Sequence, residues 1–303
     1  MESIVFKPVS LEDKEIIQSF TLKGSSQICD LAFANLYGWS ERYGTSWAIL
    51  HDTLVISFQP LGRSHPAFLM PICDSPQSFT QCLEALKILA NEGGYPLVLM
   101  GVGPMCRQKL DALAPNAFHY ISDEGSRDYI YLREKMSTLS GKSLQSKRNH
   151  INKFERLYPD YSYEPITRNN LEECLAIAEA WLEQSDDHGG EQEEKRMIRR
   201  ITQAFEPLGL LGGAIRVNGR IIAFSLGSPI NENTFGVHVE KALVEYEGAF
   251  AMINREFARH IPEQYTYINR EEDLGLEGLR KSKLSYKPEI IFPKDVALLR
   301  YDS

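Results

Sequence analysis

The chain has 303 residues, 43% of them hydrophobic and 24% charged, with a net charge of −8. That balance supplies core material for two ordinary domains and excludes a globally disordered or collagen-like chain. The acidic total disfavours wholesale, non-specific nucleic-acid binding. No run approaches the ~18 uninterrupted apolar residues of a membrane span, and the opening MESIVFKPVS has no apolar stretch of the signal-peptide kind. Five cysteines without a CxxC pair and seven scattered histidines predict a reducing, cytoplasmic setting with neither a disulfide framework nor a metal centre.

In chain order, Phe6-Lys7-Pro8-Val9 reads as a strand leading into helix. Trp47–Leu50, His51-Asp52 and Thr53–Phe58 read strand, two-residue turn, strand. Phe68–Ile72 is a short apolar strand, Phe79–Asn91 an amphipathic helix, Leu97–Val102 a strand and Met105–Leu113 a short helix. Phe118–Ser122 and Tyr129–Arg133 form a predicted closing hairpin. The same grammar then recurs: Tyr163-Glu164-Pro165-Ile166, a helix Leu171–Gln184, and the hairpin Ala214–Val217, Asn218-Gly219, Arg220–Leu226. Phe235–Val239, Gly248–His260, Tyr265–Arg270 and Leu276–Leu284 follow, then a second closing hairpin, Pro288–Phe292 with Val296–Tyr301. The turns at 51 and 218 are 167 residues apart, and so are the strands at 68 and 235. The polar run Ser185–Glu194 accounts for about ten extra residues early in the second half. The pattern predicts a duplicated α/β fold with mixed, partly parallel sheets flanked by helices. Its expected divisions are 1–134, a linker helix at 135–157, and 158–303.

The linker belongs to neither copy. Leu144, Ile151, Phe154 and Tyr158 fall on one helical face, with Asn149, Asn152, Lys153 and Arg156 on the other. From Ser140 to Arg156 five cations (Lys142, Lys147, Arg148, Lys153, Arg156) meet one acid, Glu155. This +4 segment on an otherwise acidic chain is read either as a phosphate or nucleic-acid contact or as a solvated helix face. A helix opened by Gly141 or Ser143 would add N–H groups that attract an anion.

The element order of each half is similar to the GCN5-related N-acetyltransferase fold, and two copies in tandem resemble the Fem peptidyltransferases and the phosphatidylglycerol lysyltransferase C-terminal domain. Three segments look like the latter family, including its stand-alone soluble members. They are Gly141-Lys142-Ser143 through Lys153-Phe154, then Val239-Glu240-Lys241-Ala242 with Tyr246-Glu247-Gly248-Ala249, and Asn269–Gly275 leading to Gly278–Leu284. The resemblance implies aminoacyl transfer, with aminoacyl-tRNA as donor and a small-molecule, peptide or lipid acceptor bearing a hydroxyl or amine. Two features of those families are missing: a long transmembrane portion ahead of the domain and a coiled-coil arm. The acetyltransferase pyrophosphate loop is degraded to Glu245-Tyr246-Glu247-Gly248-Ala249-Phe250, whose two carboxylates repel a pyrophosphate, so acetyl-CoA is disfavoured and no resident cofactor is expected.

The resemblance also places an acyl-donor slot between two parallel strands that splay apart, here Thr234–Glu240 and Tyr265–Arg270. Strict alternation puts His238 and Glu240 on one face. Glu240, Asn269 and Asp273 are the candidate catalytic residues. Glu240 is read as base or ammonium ligand, and Asp273, Glu271 and Glu272 as sources of a second carboxylate. Lys241, Arg270, Arg280, Lys283, Lys142, Lys147, Arg148 and Lys153 are the candidate substrate or phosphate contacts. The leading reading, a soluble aminoacyltransferase, requires a connected cleft holding Glu240 and Asn269 with the basic linker at its mouth. The alternatives are a non-catalytic small-molecule or tRNA-binding module, with the carboxylates consumed in internal ion pairs, and a CoA-dependent N-acyltransferase.

Overall fold

A computed structural model of the protein describes residues 4–184 and 190–300. The first five residues of the expected insertion, 185–189, lie outside the described residues.

Fourteen strands are described, and they form two seven-stranded mixed sheets. The first half supplies β1 (Lys7–Pro8), β2 (Ser46–Leu50), β3 (Thr53–Phe58), β4 (Ala67–Leu69), β5 (Val98–Val102), β6 (Phe118–Ile121) and β7 (Asp128–Leu132). The second supplies β8 (Ser162–Pro165), β9 (Leu211–Val217), β10 (Arg220–Pro229), β11 (Thr234–Ala242), β12 (Tyr267–Asn269), β13 (Ile290–Phe292) and β14 (Asp295–Leu299). The strand orders are β1-β2-β3-β4-β5-β14-β6 and β8-β9-β10-β11-β12-β7-β13. Place by place the sheets match. In each, one parallel pair stands at the same position, β4 with β5 and β11 with β12. The duplication read from the sequence is therefore a duplication of fold: two GCN5-related N-acetyltransferase-like units in tandem.

The turns form as their chemistry dictates. His51 and Asp52 take φ of 50° and 54°, and Asn218 and Gly219 take 48° and 79°, the left-handed pair a two-residue hairpin needs.

The closing hairpins do not form. β6 pairs with β14, and β7 pairs with β12 and β13. Each half gives its last strand to the other's sheet, so the sheets are built across the 1–134 and 158–303 divisions. A hairpin is a local guess; which sheet a strand joins is decided by the edge that offers unpaired backbone groups along a matching face. Beyond β7 the chain continues into the helix Arg133–Thr138, whose Ser137 carbonyl accepts a hydrogen bond from Arg259 in the helix Ala249–His260. This anchors β7 on the second sheet.

The main apolar core runs through both halves, joining Phe33 and Trp47 to Tyr131, Phe154, Phe224 and Phe257. A smaller core lies under the helix Pro76–Glu92, where Phe79, Leu83 and Leu86 meet Phe68, Leu99 and Ala297 of β14. The linker resolves into a short turn, Lys142–Leu144, opened by Gly141 at φ 89°, and the helix Gln145–Leu157. Its predicted inner face is buried at Leu144, Ile151 and Phe154.

Candidate functional site

The parallel pairing of β11 and β12 covers three positions, from Thr234 opposite Tyr267 to Gly236 opposite Asn269. β11 then runs on to Ala242, while the other chain turns away through Arg270 and Glu271, the latter at φ 60°. The two strands form the expected fork.

A bulge lies at the fork. Leu226 of β10 faces Val239 and Gly227 faces Val237, leaving His238 unmatched. The extra residue resets the alternation. Val237 and Glu240 now share the face covered by the helix Ala249–His260, and His238 points to the other. The expectation of a common face for His238 and Glu240 is corrected on this ground. The His238 ring is buried between Ser228 Oγ, 2.7 Å from Nε2, and Glu271 Oε1, 2.9 Å from Nδ1. Glu271 also accepts from Asn35 Nδ2 at 2.8 Å.

Glu240 accepts hydrogen bonds from Arg270 Nη2 at 2.9 Å, Asn254 Nδ2 at 2.8 Å and Ser225 Oγ at 3.3 Å. Burial alone lowers the Arg270 pKa, but the Glu240 carboxylate raises it above the ordinary guanidinium value. The Arg270 guanidinium lies 5.0 Å from the Tyr286 ring centre, and Lys147 of the linker helix sits 4.1 Å from the same ring. Burial, and next Arg270, lower the Lys147 pKa. The cationic linker therefore meets the fork through one tyrosine. Beside Glu240 the remaining space is a cavity of about 10 Å³.

Asn269 does not share that cavity, whose wall here is Ile268 and Arg270. Successive strand residues point to opposite faces, and Asn269 is turned toward the first half. Its Nδ2 donates to Gln27 O and Asp128 Oδ2, both at 2.7 Å, and its Oδ1 accepts from Glu271 N at 2.7 Å. Among the described residues Asn269 thus does not join Glu240 in one cavity, and it ties the two halves together.

Asp273 is buried and fully engaged, accepting from Tyr129 OH at 2.6 Å, Arg280 Nε at 2.7 Å and Gly275 N at 2.8 Å. Burial pushes its carboxyl up, but Arg280 and the other donors outweigh this and hold it at about 2. Arg280 also lies 3.6 Å from Glu124. Lys283 donates to the carbonyls of Arg270 and Glu271, and burial, with Arg270 nearby, lowers its pKa to about 8.

Of the other expected contacts, Lys241 pairs with Glu194 at 2.8 Å over the Trp181 ring. Arg148 holds the turn before its helix, donating to the Leu139 and Gly141 carbonyls. Lys153 pairs with Glu247 at 2.6 Å, and Lys142 is exposed. The degraded loop meets the linker helix at Gly248, where a Cβ would lie 2.9 Å from His150 O and 3.1 Å from Phe154 Cβ, while Glu245, Glu247 and Phe250 stay exposed.

Sequence reasoning misses Asp128, Tyr129 and Tyr131, because β7 reads as a hairpin partner of β6 and not as a strand of the second sheet. It also misses Asn254 and Tyr286, which carry no spacing signal, and Lys294. The Lys294 ammonium is buried among Asp128 Oδ1 at 2.9 Å, Asp30 Oδ2 at 2.7 Å and Glu272. Cys29 Sγ stands 3.6 Å from it. Cys29, Asp30 and Glu272 bring metal-ligand atoms together, and the ammonium stands among them. Burial, opposed by Lys294, pushes Glu272 up to about 7.

The profile of the family described as phosphatidylglycerol lysyltransferase, C-terminal, matches residues 24–297. The chain belongs to this family. Among solved structures, a conserved protein of unknown function from Bacteroides thetaiotaomicron is 45% identical with a TM-score of 0.95, over 98% of this chain and all of that one. L-PGS from Bacillus licheniformis shares the lysyltransferase-domain fold at 15% identity and a TM-score of 0.68, over 100% and 95% of the two chains. A tandem GNAT protein from the clavulanic acid pathway has the same general fold at 9% identity and a TM-score of 0.50, over 99% and 100%. An uncharacterised protein of Mycoplasmoides gallisepticum is 30% identical over 175 residues, 57% of this chain, and the chain spans about half (56%) of that relative's length. Among the described residues of this lysyltransferase-family domain, no helix is long and apolar enough to cross a membrane.

Proposed function

We propose that this lysyltransferase-family domain is an aminoacyltransferase, moving an amino acid from aminoacyl-tRNA to a hydroxyl or amine acceptor. One observation carries the reading: Lys147 of the linker, Tyr286, Arg270 and Glu240 form a continuous contact series from the cationic helix into the fork. Glu240 takes the acceptor's proton or holds the substrate ammonium. Arg270 is placed to meet the developing oxyanion. The bond that breaks is the ester to the ribose of the tRNA, and the bond that forms joins the same acyl carbon to the acceptor. With about 10 Å³ beside Glu240, the Arg270–Glu240 pair has to part for an acyl group to enter. A CoA donor is disfavoured because the exposed carboxylates of Glu245 and Glu247 flank the loop where a pyrophosphate would rest, and the linker helix stands close to its Gly248.

A second reading, binding without transfer, is favoured by the complete pairing of Asp273 and the three donors on Glu240. A transfer assay with a mixture of labelled aminoacyl-tRNAs and lipid, peptide and amine acceptors separates the two. Transfer by the wild type, reduced about 100-fold or more in Glu240→Gln, supports the enzyme. tRNA binding without transfer supports the second reading, and absence of both removes the proposal.

A further inference from the structure

Two buried polar atoms at the fork have no partner in the protein: Arg270 Nη1 and Asn254 Oδ1. Both residues line the cavity of about 10 Å³, with Glu240, Val237 and Ala258 among the other walls. The Asn254 amide cannot be turned to hide this mismatch. Its Nδ2 already donates to Glu240 Oε1 at 2.8 Å and to Phe250 O at 2.7 Å, so the free atom is the acceptor oxygen. Arg270 Nη1 carries only N–H groups and is a donor. Leaving both unmet in a buried site forfeits the hydration each would have in water.

A guest in this cavity must accept from Arg270 and donate to Asn254. Ammonium accepts nothing; chloride, carboxylate and a fully ionised phosphate donate nothing. A neutral O–H does both. The volume admits one oxygen atom, close to the lower limit for an internal water, and the site offers the two or more polar partners such a water needs.

We infer that the fork of β11 and β12 is a hydroxyl-binding site that holds one internal water between Arg270 Nη1 and Asn254 Oδ1, against the Glu240 carboxylate. Resting on the aminoacyl-transfer reading, this water is the group through which Glu240 exchanges a proton with an acceptor that reaches the fork when the Arg270–Glu240 pair parts.

The test is a crystal structure of the whole chain at a resolution that shows ordered water, for the wild type and for Ala258→Val, which fills the cavity from its apolar wall. The expected result is a wild-type density peak within 3.5 Å of both Arg270 Nη1 and Asn254 Oδ1, chemically a water, absent from the variant. No peak in the wild type, or a halide or metal in its place, overturns the inference whatever the transfer assay shows. A water at the site in a protein that transfers nothing leaves the hydroxyl site standing and removes the catalytic role. Where the wild type does transfer, Ala258→Val is expected to slow it by ~10-fold or more, and an unchanged rate overturns the proton-exchange role. If the variant does not fold, the wild-type map alone decides the binding site, and the solvent-isotope effect on wild-type transfer decides the role: a normal effect supports it and none overturns it.

Discussion

Asp273 shows how a residue that looks catalytic on paper is used by the fold. Its carboxylate accepts from three residues and has no exposure, and removing its charge takes from Arg280 its nearest counter-charge and leaves one acceptor oxygen where there were two. Asp273→Asn is expected to destabilise the protein by roughly 1–3 kcal/mol at pH 7, the range for a buried polar group whose charged hydrogen bonds are weakened. The pH dependence has a definite sign. The folded value is about 2 against an ordinary 3.8, so between these the unfolded chain binds more protons and stability rises with pH. The contribution is complete above about pH 4 and is lost as pH falls toward 2. Denaturant unfolding at pH 7 and again near pH 2 should show the gap between wild type and variant closing in acid. An equal gap at both would mean the loss is packing, not charge.

The bulge in β11 sets the chemistry of the fork. It separates His238 from Glu240, and β10 approaches β11 closely beside it: a Cβ on Gly227 would lie 2.2 Å from Gly236 O and 2.5 Å from Phe235 Cε1. One contact is backbone, so the strands must separate or slip. Gly227→Ala is expected to cost about 2 kcal/mol, within the usual range for overpacking, and to lower any transfer activity by displacing Glu240. Denaturation curves and the transfer assay check the two parts, and a neutral substitution would show that the strands yield freely. The linker helix makes a related point. Its inner face was legible because Ile151 and Phe154 recur at helical spacing. The uses of its cations were not legible, since Arg148 bonds backbone carbonyls and Lys153 meets an acid 94 residues away in sequence.

At the scale of the molecule, the exchanged strands make the halves interdependent. β14 stands between β5 and β6, and Lys294, one residue before it, is the cation among Asp30, Asp128 and Glu272. A chain ending at Phe292 loses both. β5 then becomes an open edge, β6 is left without a strand partner, and the buried carboxylates lack their counter-charge. Hydrogen exchange is expected to show protection lost across Val98–Val102 and Phe118–Ile121. Retained protection there would show that β14 is dispensable and that each half is a closed unit.

The sequence by itself determined the repeat, the two left-handed turns and the apolar face of the linker helix, because these depend on neighbours within a few residues and on periodicity; the position of the fork came from the family resemblance. It also carried the family likeness, in the segments around Glu240, Asn269 and Gly248. Only the tertiary structure decided that the closing strands change places, that a bulge turns His238 away from Glu240, and that Asn269 and Asp273 are held inside while Arg270 guards the gap. Those outcomes depend on contacts between residues far apart in the chain, where several partners have the right chemistry and the packing of the whole selects one.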